Sequence, residues 1–344
     1  MNALGPSKSV HRLACCASIV LHVVVACAQD ERFSQPSMTP LLVDPALAGA
    51  LHDREASFAH RAQWNALGDP FRSDALNVSM RGGGGATKKA HAPFRMAFGL
   101  GFLHASGGQP RWSGTQADLV SACHLPLDAR SSIGAGLSLG FHQQTSDLSD
   151  GRWGSQYNGQ YFDATRSSGE DALTSRAARL DAGIGVVYVY RATTSARTKT
   201  REKELTAGAA VYHLGQLALA HGSGSDPYVA RLFSAFARGS LAIADRFALV
   251  PEVVAQAQGP HLLVQYGTAL RLALGPQGAY ADEARPMLLS FGAFHRPDDA
   301  MVAQVSIEWT GCRIGIAYDL SPPDPVRYVN GRRAIEFALS WALR

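Results

Sequence analysis

The chain has 344 residues, 46% of them apolar and only 17% charged, with 34 glycines and a formal net charge of +4. Charge falls below the roughly 25% of an ordinary soluble domain and glycine exceeds its usual share of about 7%. The scattered lysines and arginines exclude a basic groove for nucleic acid, and no CxxC or Cys/His spacing points to a zinc site.

Residues 1–28 read as a signal peptide. Lys8, His11 and Arg12 form the basic region, Leu13 to Val25 the apolar core, and Ala26-Cys27-Ala28 the small-residue cleavage site. Two other readings share these residues. One is a short membrane anchor, which would normally need roughly 20 apolar residues. The other is a lipobox at Val24 to Cys27, making Cys27 a lipid anchor, although valine stands where leucine is usual. Only Cys123 and Cys312 remain beyond the leader. They are either a pair formed in an oxidising compartment or two isolated strand residues. No later segment has the length of apolar sequence that a membrane helix requires.

Residues 29–49, rich in Pro, Gln and Ser, lack periodicity and read as an extended or loop-like segment ending in a turn at Gly49. From residue 50 the period becomes two. Phe94, Met96, Phe98, Leu100 and Phe102 alternate with Arg95, Ala97, Gly99 and Gly101. The same alternation runs through 133–141, 180–188, 262–272 and 335–343. Weaker runs fall near 57–64, 74–80, 115–125, 204–213, 229–240, 246–256, 286–294, 300–309 and 312–319. A helix would repeat its apolar residues every three or four positions instead.

These runs predict about fourteen antiparallel strands of membrane-crossing length, an even number as bacterial single-chain barrels require. Lipid offers no hydrogen bonds, so the sheet must close on itself. The predicted fold is therefore an all-β transmembrane barrel over 50–344, exported to the outer membrane and surrounded by its lipid. Trp64, Trp112, Trp309, Trp341, Tyr188 and Tyr190 are placed to form interfacial girdles. A soluble sandwich or lipocalin-like barrel would also alternate. Its outer face would carry charge, whereas the non-apolar face here is mostly Gly, Ala and Ser. Residues 82–92, 142–177 and 191–203 read as long polar connections.

No catalytic constellation stands out. There is no GxSxG, HExxH or P-loop, and the run Gly82 to Gly85 lacks the Lys-Ser/Thr of a phosphate loop. Gly183-Ile184-Gly185 sits in mid-strand, where glycine marks close backbone approach. His221, Ser223 and Asp226 share one polar loop, as any such loop could. The histidines His52, His60, His91, His104, His124, His142, His213, His221, His261 and His295 are spread singly, with no metal-ligand pairing along the chain. The sequence thus points to no catalytic residue, no metal and no cofactor.

Several stretches carry a more specific signal. Gln29-Asp30-Glu31-Arg32-Phe33-Ser34-Gln35 leads to Asp44-Pro45-Ala46-Leu47-Ala48-Gly49, then to Arg61-Ala62-Gln63-Trp64. Downstream follow Ala207-Gly208 with Tyr212-His213-Leu214-Gly215-Gln216, Pro251, Ile316-Ala317-Tyr318-Asp319-Leu320, and Asn330-Gly331 before Ile335-Glu336-Phe337. In this order they resemble the PorP/SprF family of the Bacteroidetes type IX secretion system, across essentially the whole chain beyond the leader. Asp44, Leu47 and Ala62 depart from the family's usual Asn, Tyr and Asn.

The resemblance implies a non-enzymatic fourteen-stranded barrel that helps to secrete, or holds at the cell surface, a partner such as an adhesin. Implied partners are a secreted protein with a C-terminal sorting domain outside, and secretion machinery with peptidoglycan-linked proteins inside. A passive porin or solute channel is the competing reading. The motif residues Asp44, Pro45, Ala48, Gly49, Arg61, Gln63, Trp64, His213, Tyr318, Asp319 and Glu336 are expected either to stabilise the fold or to meet the partner. Within them, Pro45 and Gly49 would set the entry turn, Arg61 would pair with a lumenal acid, and Trp64 would anchor at the interface.

Overall fold

The computed structural model describes residues 30–64, 70–82, 94–108, 111–149, 151–169, 174–193, 202–215, 217–220, 229–275, 287–321 and 333–343. The leader with Cys27, Gly83 to Gly85, His91, the loop residues His221, Ser223 and Asp226, and Asn330-Gly331 lie outside the described residues. Fifteen strands follow in chain order: β1 (Arg54–Gln63), β2 (Phe71–Arg81), β3 (Arg95–Gly107), β4 (Arg111–Pro126), β5 (Ser131–Asp147), β6 (Thr174–Thr193), β7 (Glu202–Tyr212), β8 (Leu217–Ala220), β9 (Leu232–Ala242), β10 (Phe247–Gln258), β11 (His261–Leu274), β12 (Met287–Arg296), β13 (Ala300–Trp309), β14 (Cys312–Leu320) and β15 (Arg333–Leu343).

Fourteen of them form one closed antiparallel ring, in which β1 pairs with β15 from Arg54↔Leu343 to Gln63↔Ala334. Closure leaves no open edge, which a sheet in hydrocarbon cannot tolerate. The short β8 continues β7 along β6 after a break at His213, whose φ is +61°. Sequence reading misses β8 because a four-residue strand carries too little alternation.

The two faces follow the expected alternation. Met96, Phe98, Leu100 and Phe102 point outward and are exposed, while Ala97 is buried. Ile335, Phe337, Leu339 and Trp341 do the same on β15, with Ala334, Glu336, Ala338 and Ser340 inside. The outer face is therefore an apolar belt suited to lipid. Aromatics mark both rims: at one end Phe71 stacks on Trp112, ring centroids 5.5 Å apart, and meets Trp64 at a tilt, 6.1 Å apart. Trp309 and Trp341 lie at the other, both in register with Cys312. The connection 148–173 belongs to the first end and the C-terminus of β15 to the second. Long loops mark the cell exterior in such barrels, so the first end is the outer rim and the second the inner.

β4, β5 and β6 run well beyond the predicted runs at the outer rim, where β5 still pairs Asp147 with Arg111 and Thr174. Past the lipid both faces meet water, so the alternation that signals a strand fades there. Cys123 on β4 and Cys312 on β14 are unpaired and stand five strand spacings apart in the ring. At about 4.8 Å per spacing that is far beyond disulfide reach, and the isolated reading holds.

Candidate functional site

The lumen is not empty. Residues 30–53 pass through it from the outer rim to the inner rim before β1 begins. Within the stretch expected to be extended or loop-like, the backbone makes three single turns: Pro36–Met38, Pro40–Val43 and Pro45–Leu47. Proline explains this. Each turn begins on one, where the fixed φ favours helix and the missing N–H costs nothing. Each proline also bars the residue before it from continuing a helix.

The plug buries Phe33, Met38, Leu41 and Val43, each contributing about 1.5–3 kcal/mol. Their partners are mostly small wall residues. Phe33 and Met38 pack on Ala59, Ala75, Leu103 and Ala338, whereas Leu41 and Ala48 pack on Ala97, Val120 and Ala122. Wall glycines give the plug its room, Gly136, Gly185, Gly208 and Gly315 among them. A Cβ on Gly136 would strike the Pro45–Ala46 peptide, and one on Gly185 would strike the Asp44 carboxylate. Gly183 and Gly185, expected to mark close backbone approach, instead admit side-chain atoms, of Ser138 and Tyr212 and of Asp44 and Pro45; the backbone approach is at Gly136.

Polar locks hold the plug at four levels. At the inner rim, Arg81 donates from Nε to the Gly49 carbonyl at 3.0 Å and from Nη1 to Asp53 at 2.6 Å. His124 Nε2 donates to the Ala48 carbonyl at 2.7 Å and Arg191 Nη2 to the Leu51 carbonyl at 2.9 Å. Gly49 turns the chain with φ +64°. At mid-height, the buried Asp44 caps the third turn by accepting from Ala46 N at 2.7 Å, and Tyr212 donates its hydroxyl to the Leu41 carbonyl at 2.7 Å.

Nearer the outer rim, Glu336, fully buried, accepts from Ser34 N at 2.5 Å and Gln35 N at 2.9 Å. Arg61 donates to Ser34 Oγ at 2.5 Å and to Asp319 at 2.6 Å, and lies 3.5 Å from Glu336. Arg296 also pairs with Asp319. Gln265 and Gln304 donate to the Ser34 carbonyl at 2.9 and 2.6 Å.

At the top, His213 sits between two carboxylates. Its Nδ1 donates to Asp181 at 2.5 Å and its Nε2 to Asp30 at 2.6 Å. Both ring nitrogens of His213 thus meet a carboxylate, tying Asp30 of the plug to Asp181 of the wall.

The motif residues thus converge. Arg61, Asp319 and Glu336 form one network, with the lumenal acids that Arg61 was expected to meet. Asp44, Pro45, Ala48 and Gly49 lie in the plug, and His213 clasps its start. Gln63, Trp64 and Tyr318 stand apart from these locks. Trp64 belongs to the outer aromatic band, half exposed with φ +58°, and Tyr318 lies on the outward face of β14, between inward Ala317 and Asp319. Arg296, Arg81, His124, Asp181 and Gln265 escaped sequence reading. Each is a single inward residue on its own strand, and only barrel closure brings it to the plug.

A second feature rises on the outer rim. Residues 151–169 fold on themselves, with a bridge between Tyr157 and Phe162 and the Asn158 side chain accepting from Gln160 N and Tyr161 N. Gln156 donates to the Arg166 carbonyl, Arg166 to the Tyr157 carbonyl, and Arg152 lies 5.1 Å over the Phe162 ring. Tyr157 and Tyr161 project to solvent, 54% and 61% exposed.

Among solved structures, the translocator domain of the autotransporter NalP from Neisseria meningitidis is 10% identical, with 98% of this chain and 99% of that chain covered and a TM-score of 0.43. A Pseudomonas aeruginosa FadL homologue is 9% identical, with 88% and 93% covered and a TM-score of 0.45. No curated protein matches. The family model of the type IX secretion system membrane protein PorP/SprF matches residues 25–331. The chain belongs to the PorP/SprF family and is an outer-membrane component of the type IX secretion system.

Proposed function

We propose that this barrel is a closed, non-enzymatic scaffold that holds a secreted protein with a C-terminal sorting domain at its outer rim, assisting its export or its attachment to the surface. Its inner rim faces the secretion machinery and peptidoglycan-linked proteins of the periplasm. The observation that carries this reading is the plug: a lumen crossed by residues 30–53 and locked at four levels is poorly suited to solute passage. The outer rim supplies the contact. Loops on a rigid scaffold are the usual place for binding, and tyrosine, tryptophan and arginine dominate binding hot spots. Residues 151–169 bring Tyr157, Tyr161, Arg152 and Arg166 together on a loop stiffened by its own hydrogen bonds, which lowers the entropy lost on docking.

The test is affinity recovery of the tagged protein from crosslinked native cells, beside the double variant Tyr157→Ala, Tyr161→Ala. The wild type should bring down a large secreted protein with a C-terminal sorting domain, and the variant several-fold less at equal barrel levels. Recovery of the wild-type barrel alone would turn the assignment toward the solute channel. Equal recovery by both proteins would move the contact away from this loop.

A further inference from the structure

The clasp at the top of the plug contains more ligating chemistry than a hydrogen-bond network needs. His142 on β5, Asp181 on β6 and His213 after β7 each offer one ligand atom, and these lie within 4.8 Å of one another. The rings of His142 and His213 meet edge to face, 5.4 Å between centroids. Nothing along the chain announces this set, because its members come from three neighbouring strands. Two of its atoms are idle. Among the described residues, His142, 9% exposed, has no hydrogen-bond partner for Nε2, and Asp181 Oδ1 has none either. Buried polar atoms are rarely left so.

We propose that His142, Asp181 and His213 form a divalent transition-metal site, of the zinc class, which Asp30 of the plug completes from behind. His142 Nε2, His213 Nδ1 and a carboxylate oxygen of Asp181 are the ligands. Two imidazoles and a carboxylate favour zinc and its neighbours over magnesium or calcium, which take oxygen ligands. Asp30 accepts from His213 Nε2–H, the carboxylate–histidine–metal relay that fixes a ligand's tautomer and orientation. A water takes a fourth position. Binding is an exchange: the ion replaces the proton on His213 Nδ1, which leaves to solvent, while Nε2 keeps its own. Asp118 on β4 and Arg179 on β6 are the other charged groups facing the set among the described residues. The three carboxylates Asp30, Asp118 and Asp181 outnumber the Arg179 guanidinium, which favours a cation. The ion would tie the start of the plug to the wall beside the β7–β8 break.

The experiment uses the full-length barrel purified in detergent, stripped with chelator and titrated with Zn²⁺, and with Co²⁺ as the spectroscopic probe. Expected are about one ion bound per chain, release of a proton, a rise in the unfolding temperature, and a visible Co²⁺ spectrum of a nitrogen/oxygen site. His142→Gln breaks no hydrogen bond of Nε2 and should lower affinity at least about 10-fold while the metal-free barrel unfolds as before. Asp30→Asn, one step from the ion, should lower it about 10–100-fold. Absence of a Co²⁺ spectrum and of Zn²⁺ binding by the wild type would overturn the proposal, as would equal binding by His142→Gln. The wild-type spectrum decides the matter even if a variant fails to fold.

Discussion

Glu336→Ala isolates the strongest single hold on the plug. The wild-type carboxylate accepts the Ser34 and Gln35 amides at 2.5 and 2.9 Å and faces Arg61 at 3.5 Å. Two hydrogen bonds to a charged group contribute about 3–6 kcal/mol together. Against this, alanine removes a fully buried carboxylate whose desolvation costs several kcal/mol. Arg61 keeps Asp319 at 2.6 Å, so no unpaired cation is left behind. The net loss is about 2–4 kcal/mol, borne by local opening of the plug rather than by the wall. Hydrogen exchange with mass spectrometry reads this directly. Peptides covering residues 30–40 should exchange about 30- to 1000-fold faster, while peptides from β3 and β5 stay unchanged. Unaltered exchange at 30–40 would refute the lock. A uniform rise across the barrel would show that Glu336 holds the wall and not the plug.

Three further outcomes follow from the same contacts. Gly185→Val drives a side chain into Asp44 and should both lower the unfolding temperature and produce intermittent current in planar bilayers. Arg61→Met leaves Asp319 and Glu336 with only Arg296 to offset them; loss of one partner of a buried ionic network costs about 3–5 kcal/mol, measurable as a lower temperature of heat-modified gel mobility. His213→Gln breaks the clasp between Asp181 and Asp30 and should speed exchange of residues 30–35 at least about 5-fold; unchanged exchange there would exclude the clasp as a hold on the plug.

Much of this was legible in the sequence. Alternation is a property of single strands, so the apolar belt, the approximate strand number and most strand bounds could be read directly. The fading of that pattern outside lipid hid the outer extensions of β4 to β6, and β8 was too short to show any. The plug was legible as a segment but not as a shape: prolines 36, 40 and 45 encode its turns only once their spacing is read as three separate starts. The motif residues Arg61, Asp319 and Glu336 could be named, and a lumenal acid for Arg61 foreseen. Their meeting at Ser34 could not, since it depends on registers such as Arg61↔Glu336 across the closing seam. The histidines show the limit most sharply. Scattered singly along the chain, His142 and His213 become neighbours only because β5, β6 and β7 lie side by side.

The most direct single test of a closed scaffold is conductance of the purified barrel in planar bilayers, compared with a variant that keeps the leader but lacks residues 30–48. A silent wild type beside a steadily conducting deletion is the expected result. Steady current through the wild type, unchanged by the deletion, would contradict the plugged lumen and restore the solute channel as the better reading.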